Sequence, residues 1–201
     1  MKNFKKVAIF LACLITHYSL AKNPENFSVV KTCKKETCTV SSTFEGKRKE
    51  IVEFDINKIS DVRKINNTLY YFHISCGNPC GYGHYVTKDE VFLTEDNEIL
   101  FDEKKNCVIY ADWNEKKIFS HTFNSRKPYH KLLYNFSEVA DYKNNEDYKE
   151  LLETEPLHQI FKDDAFIDEK GVLHLYAFGK ESNLIKLKIK NACESNPIIK
   201  S

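Results

Sequence analysis

The stretch Leu184-Ile-Lys-Leu-Lys-Ile-Lys190 decides the fold, because its apolar and charged residues alternate with a period of two. In an extended strand, Ile185, Leu187 and Ile189 lie on one face and the three lysines on the other. One buried face and one solvated face are typical of a strand in an antiparallel sheet. We interpret the lysine row as protection of a sheet edge against strand pairing. Binding of an acidic partner is the alternative.

The same alternation recurs upstream in short segments rich in Val, Ile, Tyr, Phe and Thr. Turn signals such as Glu45-Gly46 and Asp96-Asn97 separate these segments, and the gaps are too short for crossover helices. The sheet is therefore predicted to be antiparallel. The candidate strands are Phe27–Thr32, Cys38–Phe44, Lys49–Phe54, Leu69–Ser75, Tyr82–Thr87, Glu90–Thr94, Glu98–Phe101, Cys107–Asp112, Lys117–Phe123, Lys131–Phe136, Ala165–Asp168, Val172–Phe178 and Leu184–Ile189.

One late segment, Ser137–Pro156, has a helical period instead. Its apolar residues Tyr148, Leu151 and Leu152 follow the i, i+3, i+4 spacing of one helix face. An asparagine at position 144 or 145 caps the helix, acidic residues suit its positive end, and Pro156 ends it. The sequence therefore predicts a single α-helix inserted late in the chain.

A faint internal repeat links two segments that are 66 positions apart. Phe101-Asp-Glu-Lys with Tyr110 matches Ile167-Asp-Glu-Lys with Tyr176, and each copy reads as strand, charged turn, strand. The predicted fold is mainly β: an antiparallel sandwich or a β-meander, propeller-like in one form, of roughly ten to thirteen strands. No long linker divides the chain, so residues 22–201 are predicted to form one β-rich domain stapled by disulfides.

The first 21 residues predict a secretory signal peptide. A lysine-rich start precedes the apolar run Val7–Ile15, and the small residues Ser19 and Ala21 suit cleavage after Ala21. The apolar run is shorter than the roughly 20 residues that a membrane-spanning helix needs. Cleavage removes three lysines and no acid, which changes the net charge from +1 to −2 and argues against a basic nucleic-acid-binding protein. We expect a periplasmic or secreted protein.

Six cysteines follow the predicted signal peptide, an even number that suits an oxidising compartment. One pair flanks a four-residue turn between two strand-like runs, and a second flanks the turn tripeptide Gly-Asn-Pro. The remaining pair would tie the last strand to the middle of the fold. The predicted disulfides are Cys33–Cys38, Cys76–Cys80 and Cys107–Cys193. The main alternative pairs Cys107 with Cys76 or Cys80.

The segment Cys76–Val86 is the most unusual in composition, because a turn with three glycines leads into three aromatic-ring residues. A loop held by a local disulfide loses little entropy on binding, and aromatic side chains are frequent anchors in protein interfaces. We therefore predict a protein-recognition tip formed by Asn78, Tyr82, His84 and Tyr85. The alternative is a structural corner whose tyrosines fill the core.

A metal site is a second way to interpret this segment. His73 and His84 flank Cys76 and Cys80, and two imidazoles with two thiolates can hold zinc. Thiols of exported proteins oxidise, however, and the spacing is not the short Cys-x-x-Cys form, so a disulfide is favoured. We predict no metal and no cofactor.

Two further places are candidates for binding. Glu146, Asp147 and Glu150 belong to an acidic stretch that could steer a basic partner, although a solvated helix face has the same pattern. Trp113 is the sole tryptophan and lies in an Asp-Trp-Asn turn, either as a binding residue or as a turn anchor.

The sequence contains no Gly-x-Ser-x-Gly elbow, His-Glu-x-x-His helix, phosphate loop or dinucleotide fingerprint. The leading hypothesis is an exported, non-catalytic protein of the bacterial envelope that binds another protein, of the inhibitor or toxin-immunity type. A secreted hydrolase or carbohydrate-active enzyme that uses unrecognised carboxylates is the first alternative. A metal-binding envelope protein is the second.

Overall fold

The computed structural model describes residues 26–77, 80–94, 97–112, 114, 116–123, 129–138, 146–161, 163–178 and 184–194. The predicted signal peptide, Asn78, Trp113 and the predicted helix cap lie outside the described residues. Sheet I contains β1 (Ser28–Lys34), β2 (Thr37–Phe44) and β3 (Lys47–Asp55). Sheet II contains β4 (Arg63–Lys64), β5 (Tyr70–Gly77), β6 (Cys80–Val86) and β7 (Val91–Thr94). Sheet III contains β8 (Glu98–Asp102), β9 (Cys107–Asp112), β10 (Lys117–Thr122) and β11 (Tyr129–Asn135). Sheet IV contains β12 (Phe166–Ile167), β13 (Leu173–Phe178) and β14 (Leu184–Ile189).

Each sheet is an up-and-down meander, because strands that follow one another in the chain are hydrogen-bonded neighbours. Every pairing between these strands is antiparallel. The mainly β, antiparallel fold predicted from the alternating pattern is thus confirmed. The described strands number fourteen, and the two-residue strand β4 has no counterpart among the candidates because two residues show no period.

Three apolar clusters lie between successive sheets, so the four sheets stack in chain order. The first cluster joins sheets I and II through side chains that include Val29, Val40, Phe72 and Ile74. The second joins sheets II and III through Leu69, Tyr85, Val108 and Phe123. The third joins sheets III and IV through Ile109, Ala111, Leu173 and Leu175. Meander sheets stacked face to face in chain order resemble the blades of a β-propeller.

Two short helices, rather than one, follow sheet III. Helix α1 (Glu146–Thr154) lies where the helix was predicted, and helix α2 (Leu157–Phe161) begins directly after Pro156. Proline cannot continue a helix but is well tolerated at the start of the next one, which explains the break. Leu152, Leu157 and Phe161 are buried in the cluster between sheets III and IV.

The three predicted disulfides are present. Cys33–Cys38 and Cys76–Cys80 each close one hairpin, with Cα atoms 4.0 and 5.1 Å apart. Cys107–Cys193 joins β9 to the segment after β14 across 86 residues of sequence. Disulfides of this kind indicate an oxidising, extracytoplasmic location. Among the described residues, no helix is long and apolar enough to cross a membrane.

The internal repeat corresponds to the first hairpins of sheets III and IV. Asp102 accepts hydrogen bonds from the backbone N–H of Lys104 and Lys105, and Asp168 does the same for Lys170 and Val172. The second turn is one residue shorter, since Asp102 pairs with Cys107 whereas the N–H of Asp168 bonds the carbonyl of Val172. The strands that follow are therefore one residue out of step. The matching tyrosines consequently face in opposite directions along the stack: Tyr110 contacts sheet II, and Tyr176 lies on the far face of sheet IV.

Candidate functional site

The predicted recognition tip is the hairpin formed by β5 and β6. The Cys76–Cys80 disulfide lies at its end, and Ile74, Phe72 and Tyr70 of β5 pair with Tyr82, His84 and Val86 of β6. Residues that face each other across a strand pair share one face of the sheet. Tyr82 and His84 thus point towards the sheet I side, and Tyr85 points towards sheet III.

Tyr85 belongs to the core and not to a recognition surface. Its side chain is 1% exposed and stacks on Phe101 and Phe123 of sheet III. Its hydroxyl donates a hydrogen bond of 2.8 Å to Glu98, and burial, followed by the Glu98 charge, raises the pKa of the phenol well above its usual range. The structural-corner alternative therefore describes Tyr85. The prediction that Tyr85 contacts a partner is therefore wrong, because sheet III covers the face to which its side chain points.

His84 is also buried, but it shares its face of the sheet with the exposed residues Tyr82 and Leu93. Its ring stacks on Phe72 with centroids 4.4 Å apart, and its Nδ1–H donates to the carbonyl of Tyr82 at 3.0 Å. Burial lowers the pKa of the imidazole below its usual value. At neutral pH His84 is thus an uncharged ring that supports the backbone beside Tyr82.

An exposed apolar surface surrounds Tyr82. In the register of β6 with β7, His84 pairs with Leu93 and Val86 pairs with Val91, so these side chains share the face of Tyr82. Tyr82 is 37% exposed, Leu93 is 49% exposed, and Val91 is exposed as well. We call Tyr82, Val91 and Leu93 the Tyr82 surface. The sequence did not reveal the two β7 residues, because Val91, Phe92 and Leu93 are all apolar and do not show which face is covered.

The other predicted binding residues are partly described. Glu146 and Glu150 are exposed on α1, as a solvated acidic helix face requires. The Asp147 side chain, like Asn78 and Trp113, lies outside the description. Helix α1 packs against the opposite half of the stack from the Tyr82 surface, because its Leu152 is buried between sheets III and IV. Both surfaces thus stay predictions, and they belong to different parts of the stack.

A groove of about 600 Å³ lies between the two repeat hairpins of sheets III and IV. Four carboxylates and two lysines are among the residues that line it. The lining residues are Leu100, Phe101, Asp102, Glu103, Lys104, Lys105, Phe166, Ile167, Asp168 and Glu169. Two of the carboxylates are engaged within the fold: Asp102 closes its turn, and Asp168 closes its turn and also accepts from His174 Nε2 at 2.9 Å.

A polar cluster that sequence reasoning missed lies between sheets II and III. His121 is buried, donates from Nε2 to Glu90 at 3.0 Å, and stacks on Phe92 with centroids 4.0 Å apart. Nearby, Tyr110 and Nδ1 of His130 share a hydrogen bond of 2.7 Å. Burial raises the pKa of Tyr110 to about 12, and burial followed by the neighbouring His121 lowers the pKa of His130. These residues come from different strands of two sheets, so no local spacing pattern in the sequence indicates the cluster.

The cysteines of the zinc alternative are bonded to each other and therefore do not supply thiolate ligands. Within the described ranges, no group of three or more His, Cys, Asp or Glu residues is arranged to hold a metal ion.

Comparisons with known proteins leave the family open. No protein-family model matches the chain, and no curated protein matches it in sequence. A solved structure of a luciferin-regenerating enzyme is similar over 82% of this chain and 59% of its own length, with 14% identity and a TM-score of 0.34. A likeness at that level carries no weight for fold or activity.

Proposed function

We propose that this chain is a periplasmic or secreted protein that binds another exported protein and blocks it, as inhibitors and toxin-immunity proteins do. The observation that carries the proposal is the Tyr82 surface, where Tyr82, Val91 and Leu93 are exposed together beside a disulfide-closed hairpin. Exposed apolar side chains that cluster on one face, unlike scattered single ones, are typical of interaction sites.

The Tyr82 surface is rigid, which favours tight binding. The Cys76–Cys80 disulfide closes the hairpin, and the stacked His84 and Phe72 rings support it from below. A preordered surface loses little conformational entropy on association, and tyrosine supplies a large contact area with few rotatable bonds. Tyr82 is the anchor in this proposal, and Leu93 and Val91 exclude water around it.

Strand β7 adds a second mode of contact, because it is an edge strand of sheet II. The backbone of an edge strand can pair with an extended segment of a partner, and neighbouring side chains then give specificity. The acidic residues Glu146 and Glu150 would speed encounter with a basic partner without belonging to the same patch.

The hydrolase alternative would use the carboxylates of the groove between the repeat hairpins. A glycosidase needs one carboxylic acid that holds its proton near neutral pH. Hydrogen bonds from His174 and then from the Val172 and Lys170 backbone act oppositely on Asp168, because they lower its pKa. Asp168 is thus held as a carboxylate and does not suit the role of proton donor, so we place this activity second.

The experiment compares a double variant of the Tyr82 surface with a control substitution on another edge strand. Leu93→Ser, combined with Tyr82→Ser, removes the Tyr82 surface, and Leu132→Ser on β11 is the matched control, because Leu132 is 47% exposed. Immobilised mature protein is exposed to envelope and secreted fractions, and retained proteins are identified by mass. We expect the wild type and Leu132→Ser to retain the same partner, and the double variant to retain at least about tenfold less, which corresponds to about 1.4 kcal/mol.

The purified partner then decides between mere binding and inhibition. Adding the wild-type protein should abolish the partner's enzymatic or toxic activity, and adding the double variant should not. Equal capture by all three proteins, or full partner activity in the presence of bound protein, would contradict the proposal. Thermal melting of each variant verifies that the fold is intact.

A further inference from the structure

The far face of sheet IV combines aromatic rings with a lysine row. Strand pairing places Phe166 opposite His174, His174 opposite Lys188, and Tyr176 opposite Lys186, so all five side chains share one face. Phe166 is 46% exposed, and both lysines are exposed. This face points away from sheet III, because the cluster shared with that sheet holds the alternate residues Leu173 and Leu175.

Contacts within the face fix the ring row in place. Phe166 stacks on His174 with centroids 4.6 Å apart and planes 3° from parallel. Asp168 accepts from His174 Nε2 at 2.9 Å, and the Tyr176 hydroxyl lies 3.4 Å from His174 Nδ1. The face is therefore ordered before anything binds to it.

The far face of sheet I, at the other end of the stack, carries the opposite charge. Val29 and Val40 point towards sheet II, so their neighbours Val30 and Thr39 point outwards. Ser41 belongs to the same face but is buried, and it accepts a hydrogen bond of 3.0 Å from Arg48 Nε. Opposite these outward residues on β3 lie Glu50 and Glu53, followed by Asp55. Val30 is 45% exposed, and the three acidic residues are exposed. Two basic residues, Lys34 and Arg48, belong to the same face, and Arg48 reaches Ser41 opposite Glu50. Asp55 also pairs with Lys58 at 3.6 Å, so the acidic excess of this face is small.

The two end faces have the same layout with opposite sign. Each has an exposed apolar residue on its first strand, Val30 on β1 and Phe166 on β12. Each has a charged row on its last strand, acidic on β3 and basic on β14. If one copy stacked on the next as the four sheets stack within one copy, the lysine row on β14 would face the acidic row on β3. Phe166 and Val30 would then lie together at the opposite edge of the contact.

From this complementarity we infer that copies of the chain associate head to tail, with the far face of sheet IV of one copy docking on the far face of sheet I of the next. The contact continues the stacking that sheets I to IV already show. Such an interface is heterologous, since each copy contributes a different face. Two copies of the same face do not dock, because lysine would meet lysine.

A single contact of this type is small. At usual strand spacing, a face of three strands and six residues covers roughly 300 Å², against about 800 Å² per partner in a stable complex. The association is therefore weak, no tighter than micromolar, and because it rests on exposed charges it weakens with salt.

The experiment is a charge swap followed by sedimentation. Lys186→Glu/Lys188→Glu reverses the basic row, and Glu50→Lys/Glu53→Lys reverses the acidic row. We expect the average mass of the wild type to rise with concentration up to about 1 mM at low salt, and each reversed variant to have a dissociation constant at least about tenfold higher. An equimolar mixture of the two variants should associate again, since each contact between unlike variants joins opposite charges.

Lys104→Glu/Lys170→Glu is the matched control, because it makes the same charge change in two exposed turns outside both faces. It should associate like the wild type. A wild-type protein that stays monomeric up to about 1 mM, or a mixture that does not recover association, would overturn the inference. Neither result touches the Tyr82 surface, so the proposed function stands or falls separately.

Discussion

The buried imidazole of His84 makes the stability of this fold depend on pH. Burial lowers the pKa of His84 in the folded state, so the unfolded chain binds protons more readily. As the pH falls through the usual imidazole range near 6.5, the unfolded state gains protons first and the free energy of unfolding decreases. Above that range His84 is neutral in both the folded and the unfolded state, so its burial does not make the free energy of unfolding depend on pH there.

We expect the free energy of unfolding to be lower at about pH 5.5 than at about pH 7.5, and the difference to shrink in His84→Asn. Urea unfolding at the two pH values measures both quantities. Asparagine keeps a donor near the Tyr82 carbonyl, which limits the structural loss. The same pH dependence in the wild type and the variant would show that another group dominates.

Tyr82 and Tyr85 show where the residue-scale prediction ended. The sequence placed both in one recognition tip, and the alternation of β6 puts them on opposite faces. Which face is covered depends on sheets I and III, whose contacts with β6 involve residues far away in the chain. A local pattern specifies that two neighbouring residues point apart, but not which of them meets water.

At the scale of elements, the first hairpin of sheet IV depends on Asp168. Its carboxylate accepts from the backbone N–H of Lys170 and Val172 and from His174. In sheet III, Asp102 accepts from the backbone of Lys104 and Lys105 in its own turn. We expect Asp168→Ala to lower the Tm by a few degrees and Asp102→Ala by less. Thermal melting followed by circular dichroism measures both, and Glu169→Ala in the same turn serves as the control.

The strands and hairpin disulfides were predictable because their signals are local. Alternation in segments such as Lys117–Phe123 and the short spacing of Cys33 and Cys38 need no knowledge of distant packing. Helix α2 shows the limit: Leu157 and Phe161 have helical spacing, but five residues are too few for a period to stand out. The one-residue difference in length between the two repeat turns could not be predicted either, because both turns begin with the same residues, Asp-Glu-Lys.

At the scale of the whole molecule, the longest covalent constraint is the Cys107–Cys193 bond. In the chain-entropy treatment, a loop of 86 residues gives roughly 4–5 kcal/mol of stability, and the five-residue separation of Cys33–Cys38 gives about 2 kcal/mol. We expect Cys107→Ala/Cys193→Ala to lower the free energy of unfolding by about the larger amount and Cys33→Ala/Cys38→Ala by the smaller. Denaturant unfolding of the two double variants, under oxidising conditions, gives the comparison. Equal losses would mean that local strain, and not loop length, sets the contribution.

The three disulfides do not constrain all parts of the stack equally. Cys33–Cys38 and Cys76–Cys80 each stay within one hairpin, and among the described residues only Cys107–Cys193 connects different parts of the chain, both of them beyond sheet II. Sheet I can therefore separate from sheet II without the breaking of a disulfide described here. The segment that follows β14, by contrast, is covalently bonded to β9. Under denaturing conditions, which disrupt the apolar cluster between sheets I and II, a protease cut between these sheets would release the first meander as a separate fragment. A cut between β9 and β14 would leave the two pieces joined by the Cys107–Cys193 bond.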